Sequence, residues 1–296
     1  MLGSKISFIA ISMRPAQWVK NVFIFAGLLF SRNLFNPMAL LEVCAGFAFF
    51  SLTASGIYIF NDILDMENDK RHPEKCKRPL ASGELAVSTA YITVSVLVGF
   101  SLFAAVFLNR VFFLILVAYV IMNVAYSLRL KQVVILDVMC IAFGFVFRVL
   151  AGTALAGVMP SDWLLICTIT ISLFLGFSKR RSEVALMEGE SSKHRKVLAH
   201  YSLPFLDQMI SVATACTVMS YALYTVSPET VARFGTRNLI FTIPFVLYGI
   251  YRYLYVIHEK NEGGNPTSVV LTDRPLMLNG FLWILSLMLI IYWRES

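Results

Sequence analysis

Apolar stretches about as long as a bilayer is thick recur along this chain and leave room for few other architectures. They run near residues 22–36, 39–60, 87–108, 111–127, 133–157, 163–178, 205–227, 238–257 and 276–293. A helix that crosses a membrane needs about 20 predominantly apolar residues, and the first and sixth stretches are the shortest. With 58% hydrophobic and 15% charged residues and a mean hydropathy of +0.72, a soluble domain is excluded. The expectation is an all-α integral membrane protein with about nine transmembrane helices, a single polytopic domain over residues 1–296. The amino terminus carries Lys5 and Arg14 but lacks the long apolar region and small-residue cleavage site of a secretory signal.

Basic residues orient the chain. With the amino terminus in the cytoplasm, about 19 of the 25 Lys and Arg lie on that side. Arg32, Arg110, Arg233, Arg237 and Arg294 lie on the other, and Arg148 sits within a span. The expected location is therefore the cell membrane, with the chemistry facing the cytoplasm and the carboxyl terminus outside. The net charge of +7 belongs to loops at the lipid bilayer surface and to anionic substrates, with no call for nucleic acid. Cys44, Cys140, Cys167 and Cys216 fall in apolar spans, Cys76 is isolated, and His72, His194, His200 and His258 are scattered. No zinc spacing results.

Between the spans ending at Phe60 and starting at Val87 stands NDILDMENDKRHPEKCKRPLASG, Asn61 to Gly83. Continued as a helix, Asn61, Asp62, Asp65 and Asp69 fall within an arc of roughly 100°. Three carboxylates on one stripe repel each other unless a cation sits between them. Hard oxygen donors without His or Cys favour Mg²⁺, which shares its coordination with substrate phosphates. The basic run that follows, Lys70, Arg71, His72, Lys75, Lys77 and Arg78, suits those same phosphates.

Three further segments carry charge. MRPAQWVKN, Met13 to Asn21, places Trp18 as an interfacial anchor between Arg14 and Lys20. YSLRLKQVVILD, Tyr126 to Asp137, is a short break with Arg129 and Lys131 before a rising helix, and Ser178 to Tyr201 is long and charged. The motif loops thus lie near 61–86, 126–137 and 178–204. Asp137 and Arg148 are 11 residues apart, on one helical face. Charges within a span cost several kcal/mol on insertion scales of about 3 kcal/mol each and face the bundle interior or a wet cavity.

Asn61-Asp62-x-x-Asp65-x-x-x-Asp69 with Arg78-Pro79-Leu80-Ala81-Ser82-Gly83 resembles the first aspartate-rich motif of the UbiA superfamily of intramembrane prenyltransferases. Tyr126-Ser127-x-x-Leu130-Lys131 up to Asp137 resembles its second motif region. The likeness covers nearly the whole chain and implies a UbiA-like bundle around a central cavity. Arg14-Pro15-x-Gln17-Trp18-x-Lys20-Asn21, His72-Pro73-x-Lys75, Asp137-Val138 and Lys179-Arg180 make the chain most similar to the phosphoribosyl-transferring branch. Enzymes of that branch join phosphoribosyl diphosphate to a decaprenyl-type polyprenyl phosphate and release diphosphate, a step in cell wall biosynthesis. The aromatic prenyltransferases carry a second acid four residues after the position of Asp137, where this chain has Ile141.

The resemblance implies Asn61, Asp65 and Asp69 as holders of Mg²⁺, with Asp62 supporting and Asp137 at the ribose or a metal-bound water. Lys20, Asn61, Lys75, Arg78, Tyr126, Lys131, Arg148, Lys179 and Arg180 are the candidate substrate-binding residues. Three anionic groups on the two substrates match this number of cations. Two alternatives stay open: an aromatic prenyltransferase with a polyprenyl diphosphate donor, and a membrane carrier of an anionic solute.

Overall fold

The computed structural model describes residues 2–187, 196–259 and 266–292, and every regular element among them is helical. In chain order these are α1 (Leu2–Met13), α2 (Phe25–Phe30), α3 (Pro37–Asp69), α4 (Val87–Leu108), α5 (Arg110–Leu128) and α6 (Leu136–Leu155). Then follow α7 (Asp162–Met187), α8 (Leu203–Val226), α9 (Pro228–Phe234), α10 (Ile243–Glu259), α11 (Pro266–Thr272) and α12 (Arg274–Tyr292). Eight of the described helical segments are long and apolar enough to cross a membrane.

Of the nine expected stretches, the one near 22–36 forms no single helix of that length among the described residues. Pro15–Ile24 forms a 3-10 helix and α2 has only 6 residues. Left-handed Arg14 (φ 52°) and Arg32 (φ 62°) bracket the segment and turn it. Its apolar side chains serve a protein core: Ile24 and Leu28 are fully buried. Backbones touch here, since a Cβ on Gly152 of α6 would stand 1.8 Å from the Ile24 carbonyl oxygen. Glycine permits such an approach of helices.

α3 is the longest element, and its length positions the motif. Asn36 caps it, accepting from the backbone N–H of Met38 and Ala39, and Pro37 fills the first helical position. Its 33 residues extend about 50 Å, more than the roughly 30 Å hydrocarbon thickness. The last turns, Asn61 to Asp69, therefore project past the apolar part as the same rigid rod. Asn109 restarts the chain in the same manner, its side chain accepting from Val111 and Phe112 N–H at the head of α5.

The chain divides into two compact units, one built on α1–α6 and the other on α7–α12. The core of the first contains Phe50, Phe112, Leu116, Tyr119 and Leu155, joined by Ile24 and Leu28. In the second, Arg252 of α10 donates twice to Asp273, which caps α12 by accepting from Leu276 N–H. Trp283 of α12 donates to the Tyr221 hydroxyl of α8 at 3.0 Å. The expected charged loop 178–204 is in part α7 itself, which continues through Met187; residues 188–195 lie outside the described residues. Arg294 does too.

Candidate active site

The last turns of α3 sort their four polar residues into two pairs by helical period. Asn61 and Asp65 are one turn apart, and Asn61 Nδ2 donates to Asp65 Oδ2 at 3.0 Å. The turn Leu130–Gln132 brings Lys131 to this pair. Its Nζ donates to Asp65 Oδ1 at 2.6 Å and lies 3.4 Å from Asn61 Oδ1. Asp62 and Asp69, two turns apart, face the arginines instead. Arg78 Nη1 donates to Asp62 Oδ1 at 3.0 Å and Asp69 Oδ2 at 2.6 Å, and Arg14 Nη2 to Asp62 Oδ1 at 2.5 Å. The Arg14 guanidinium also lies 5.4 Å from the Tyr58 ring centre, within cation–π range.

Asp62 is 3% exposed. A carboxylate that far from water needs its two guanidiniums, so its first task is to fix Arg14 and Arg78. His72 acts in a turn, its Nδ1 accepting from the N–H of Glu74 and Lys75. That turn and the short 3-10 helix Lys75–Lys77 deliver Arg78 to the stripe.

The donor set suits a hard cation in part. Asn61 and Asp65 already turn oxygen atoms toward one positive group, the Lys131 ammonium. One carboxylate plus an amide oxygen, with phosphates completing the shell, is within the habit of Mg²⁺. Asp69, expected in the same set, stands with Asp62 on Arg78. Among the described residues no three acidic, His or Cys side chains converge as a metal set.

The remaining expected residues are spread more widely. Asp137 is fully buried in the first turn of α6, after left-handed Ile135 (φ 71°). Sharing a face does not join it to Arg148, because 11 residues along a helix separate them by about 16 Å. Tyr126 is half-buried near the end of α5 and makes no hydrogen bond among the described residues, and Arg129 is exposed. Lys20 is half-buried in the 3-10 helix Pro15–Ile24. Lys179 and Arg180 belong to the other unit, where both approach Glu183 on α7 and Arg180 is fully buried.

Arg148 is 4% exposed and bonds to Asn21, Gly144 and Tyr119. Asn21 is in turn fixed by its donation to Ser51 Oγ at 2.8 Å. Trp18 is docked in the same way: its Nε1 donates to Ser55 Oγ at 3.0 Å, and Ser55 donates to the Met13 carbonyl. The sequence reading assigned no role to Asn21, Ser51, Ser55 or Tyr119. Ser51 and Ser55, one turn apart in an apolar run, were the available signal.

Residues 21–285 match the model of the UbiA prenyltransferase family. A protein of Corynebacterium glutamicum named decaprenyl-phosphate phosphoribosyltransferase is 32% identical over 287 residues, covering 95% of this chain and 86% of that one. Its namesake in Mycobacterium tuberculosis is 31% identical, covering 92% and 90%. Among solved structures, a UbiA homologue from Archaeoglobus fulgidus bound to GPP and Mg²⁺ superposes with a TM-score of 0.74 at 19% identity, over 96% of this chain and 99% of that one. The continuous match, the helical bundle and the aspartate stripe agree, and this chain belongs to the UbiA prenyltransferase family.

Proposed function

We propose that the protein transfers a 5-phosphoribosyl group from phosphoribosyl diphosphate to a polyprenyl phosphate of decaprenyl type and releases diphosphate, with Mg²⁺ required. The observation that carries this reading is the near-full-length similarity, above 30% identity, to relatives named for that activity. The site supports it with a stripe of acids faced by Arg14, Arg78 and Lys131. In this reading the site faces the cytoplasm of the cell in which the protein spans the plasma membrane.

In the transfer, the bond between the ribose anomeric carbon and the diphosphate oxygen breaks, and a bond to an acceptor phosphate oxygen forms. The acceptor is already ionised near pH 7, so no strong general base is needed. Bound Mg²⁺ would supply charge neutralisation for the departing diphosphate, with Asn61 and Asp65 holding it. Arg78 and Lys131, held by the acids of the stripe, would turn to phosphate oxygens, and Asp62 holds Arg14 and Arg78 in place. Their charges act on the anion that grows as the anomeric carbon takes on oxocarbenium character.

The test is product analysis of the purified protein offered Mg²⁺ and, in separate reactions, phosphoribosyl diphosphate with a polyprenyl phosphate or geranyl diphosphate with a hydroxybenzoate. A phosphoribosylated lipid is the expected product. Prenylated hydroxybenzoate alone would replace the proposal with the aromatic prenyltransferase reading.

A further inference from the structure

The second unit carries a groove for which the transfer reaction has no use. It runs between α8 and α10, has a volume of about 730 Å³, and is walled by Ile210, Val218, Met219, Tyr251, Leu254 and Tyr255. Met219, Tyr251 and Tyr255 are exposed, so the groove is open along its side. Asp207 of α8 and His258 of α10 close one end.

That polar end is short of hydrogen-bond donors. Asp207 Oδ1 accepts from Arg181 Nε of α7, and its Oδ2 has no partner among the described residues. His258 Nδ1 donates to the Leu254 carbonyl at 2.9 Å. With the proton on Nδ1, the neutral ring presents Nε2 as an acceptor. This Nε2 stands 3.4 Å from Asp207 Oδ1, so two acceptors face each other and neither supplies a hydrogen. An ammonium group, with three N–H donors, satisfies both at once. The guanidinium that touches Asp207 keeps Nη1 and Nη2 without an acceptor among the described residues, and phosphate oxygens fit that edge. A positive and a negative group side by side therefore match this end, whose own charges cancel.

The length of the groove says what carries those two groups. α8 begins at Leu203 and α10 ends at Glu259, so Asp207 and His258 stand near the helix ends. Met219 follows Asp207 by 12 residues, about 18 Å along α8, close to half of the roughly 30 Å hydrocarbon thickness. Tyr251 and Tyr255 line the wall as amphipathic rings do near a membrane surface. A headgroup at the surface with a chain reaching the midplane is a lipid of one leaflet. The groove is also apart from the candidate cations of α7. Lys179 and Glu183 pair one turn apart on one face, and Arg181 lies on the opposite face. A polyprenyl phosphate suits the groove poorly, because a bare phosphate offers no donor to the open oxygen of Asp207.

We propose that this groove binds a phospholipid with a zwitterionic, primary-amine headgroup, phosphatidylethanolamine. Its ammonium lies between Asp207 and His258, its phosphate on Arg181, and an acyl chain along α8 and α10. The assignment does not depend on which group the protein transfers.

The experiment uses the full chain in detergent, freed of co-purified lipid, and follows thermal stabilisation by the dioleoyl forms of phosphatidylethanolamine, phosphatidylcholine and phosphatidylglycerol. The three share their chains; the second lacks N–H donors and the third lacks the positive charge. Phosphatidylethanolamine should stabilise the protein most, and phosphoethanolamine, the headgroup without chains, far less. Asp207→Asn should weaken phosphatidylethanolamine binding about tenfold or more and bring it level with phosphatidylcholine. His258→Phe, which leaves the Arg181–Asp207 pair intact, should weaken it to a smaller extent. Ala215→Phe, at an exposed position in the groove, should reduce stabilisation by all three lipids. If Asp207→Asn fails to fold, the other two variants decide. Equal stabilisation by phosphatidylethanolamine and phosphatidylcholine would overturn the proposal, as would stronger stabilisation by phosphatidylglycerol. Unchanged binding in His258→Phe and Ala215→Phe would place the lipid elsewhere and overturn it too.

Discussion

Asp62→Asn removes one charge from the most buried carboxylate of the stripe, and its effect should be on stability before chemistry. The wild-type carboxylate accepts from Arg14 at 2.5 Å and Arg78 at 3.0 Å. Breaking a buried ion pair costs about 3–5 kcal/mol when one charge is left alone. Here the arginine side chains keep 29% and 27% exposure and Arg78 retains Asp69. Water and Asp69 therefore take up part of the loss, leaving about 2–3 kcal/mol, the upper range for a charged hydrogen bond. In a chain of 296 residues that corresponds to roughly 3–5 °C in melting temperature. The assay is thermal unfolding in detergent of Asp62→Asn, Arg14→Met and the double variant. The double variant should lose less than the sum of the singles, because neither leaves a charge unopposed. Residual Asp62→Asn enzyme, assayed at low temperature, should keep the Mg²⁺ dependence of the parent. An unchanged melting temperature together with a shifted Mg²⁺ dependence would refute this reasoning and make Asp62 a metal ligand.

Asp65→Asn and Asp69→Asn should each abolish turnover while the protein stays folded by circular dichroism; full activity of either at saturating Mg²⁺ removes that residue from the site. Lys131→Ala should lose roughly ten- to a hundredfold in apparent donor affinity, with Lys131→Arg intermediate; unchanged kinetics in the alanine variant would make Lys131 a stabiliser of α3 only. Gly152→Ala places a methyl 1.8 Å from a backbone oxygen and should cost about 3 kcal/mol, read as loss of folded protein on size-exclusion chromatography. Lys20, with its pKa lowered to about 8, is charged below that pH and neutral above it. Between about 8 and the ordinary lysine value of about 10.4 the unfolded chain holds the extra proton, so stability rises with pH there; thermal unfolding followed across that range should lose this rise in Lys20→Met.

The sequence displayed the aspartate stripe because helical period is local. Four polar residues following a largely apolar run on the same rod need no tertiary information to be placed on one face. The split of that stripe was not visible, since Arg14 reaches Asp62 from 48 residues away. Nor was the division of the first stretch into short helical pieces. Hydropathy reports that Ile24 and Leu28 avoid water, and a protein core satisfies them as well as lipid does. The left-handed turns at Arg14 and Arg32 that bracket the segment carry no glycine signal. Lys179 and Arg180 looked like loop cations because charge usually ends a span, yet α7 continues through them and Glu183 supplies the compensation one turn on.

The charges at the end of α3 explain why donor and metal should bind together. Asp62, Asp65 and Asp69 meet Arg14, Arg78 and Lys131 in contacts of 2.5–3.0 Å, a neutral set. A divalent cation added alone would have to compete with Lys131 for the oxygens of Asp65 and Asn61, leaving excess positive charge among half-buried groups. A diphosphate added alone would meet the acids at close range. Arriving together, the two nearly cancel, and Lys131 can leave Asp65 for a phosphate oxygen without losing an anionic partner. Omitting Mg²⁺ should accordingly weaken donor binding, read as loss of thermal stabilisation by phosphoribosyl diphosphate; donor binding of equal strength with and without Mg²⁺ would refute the joint arrival.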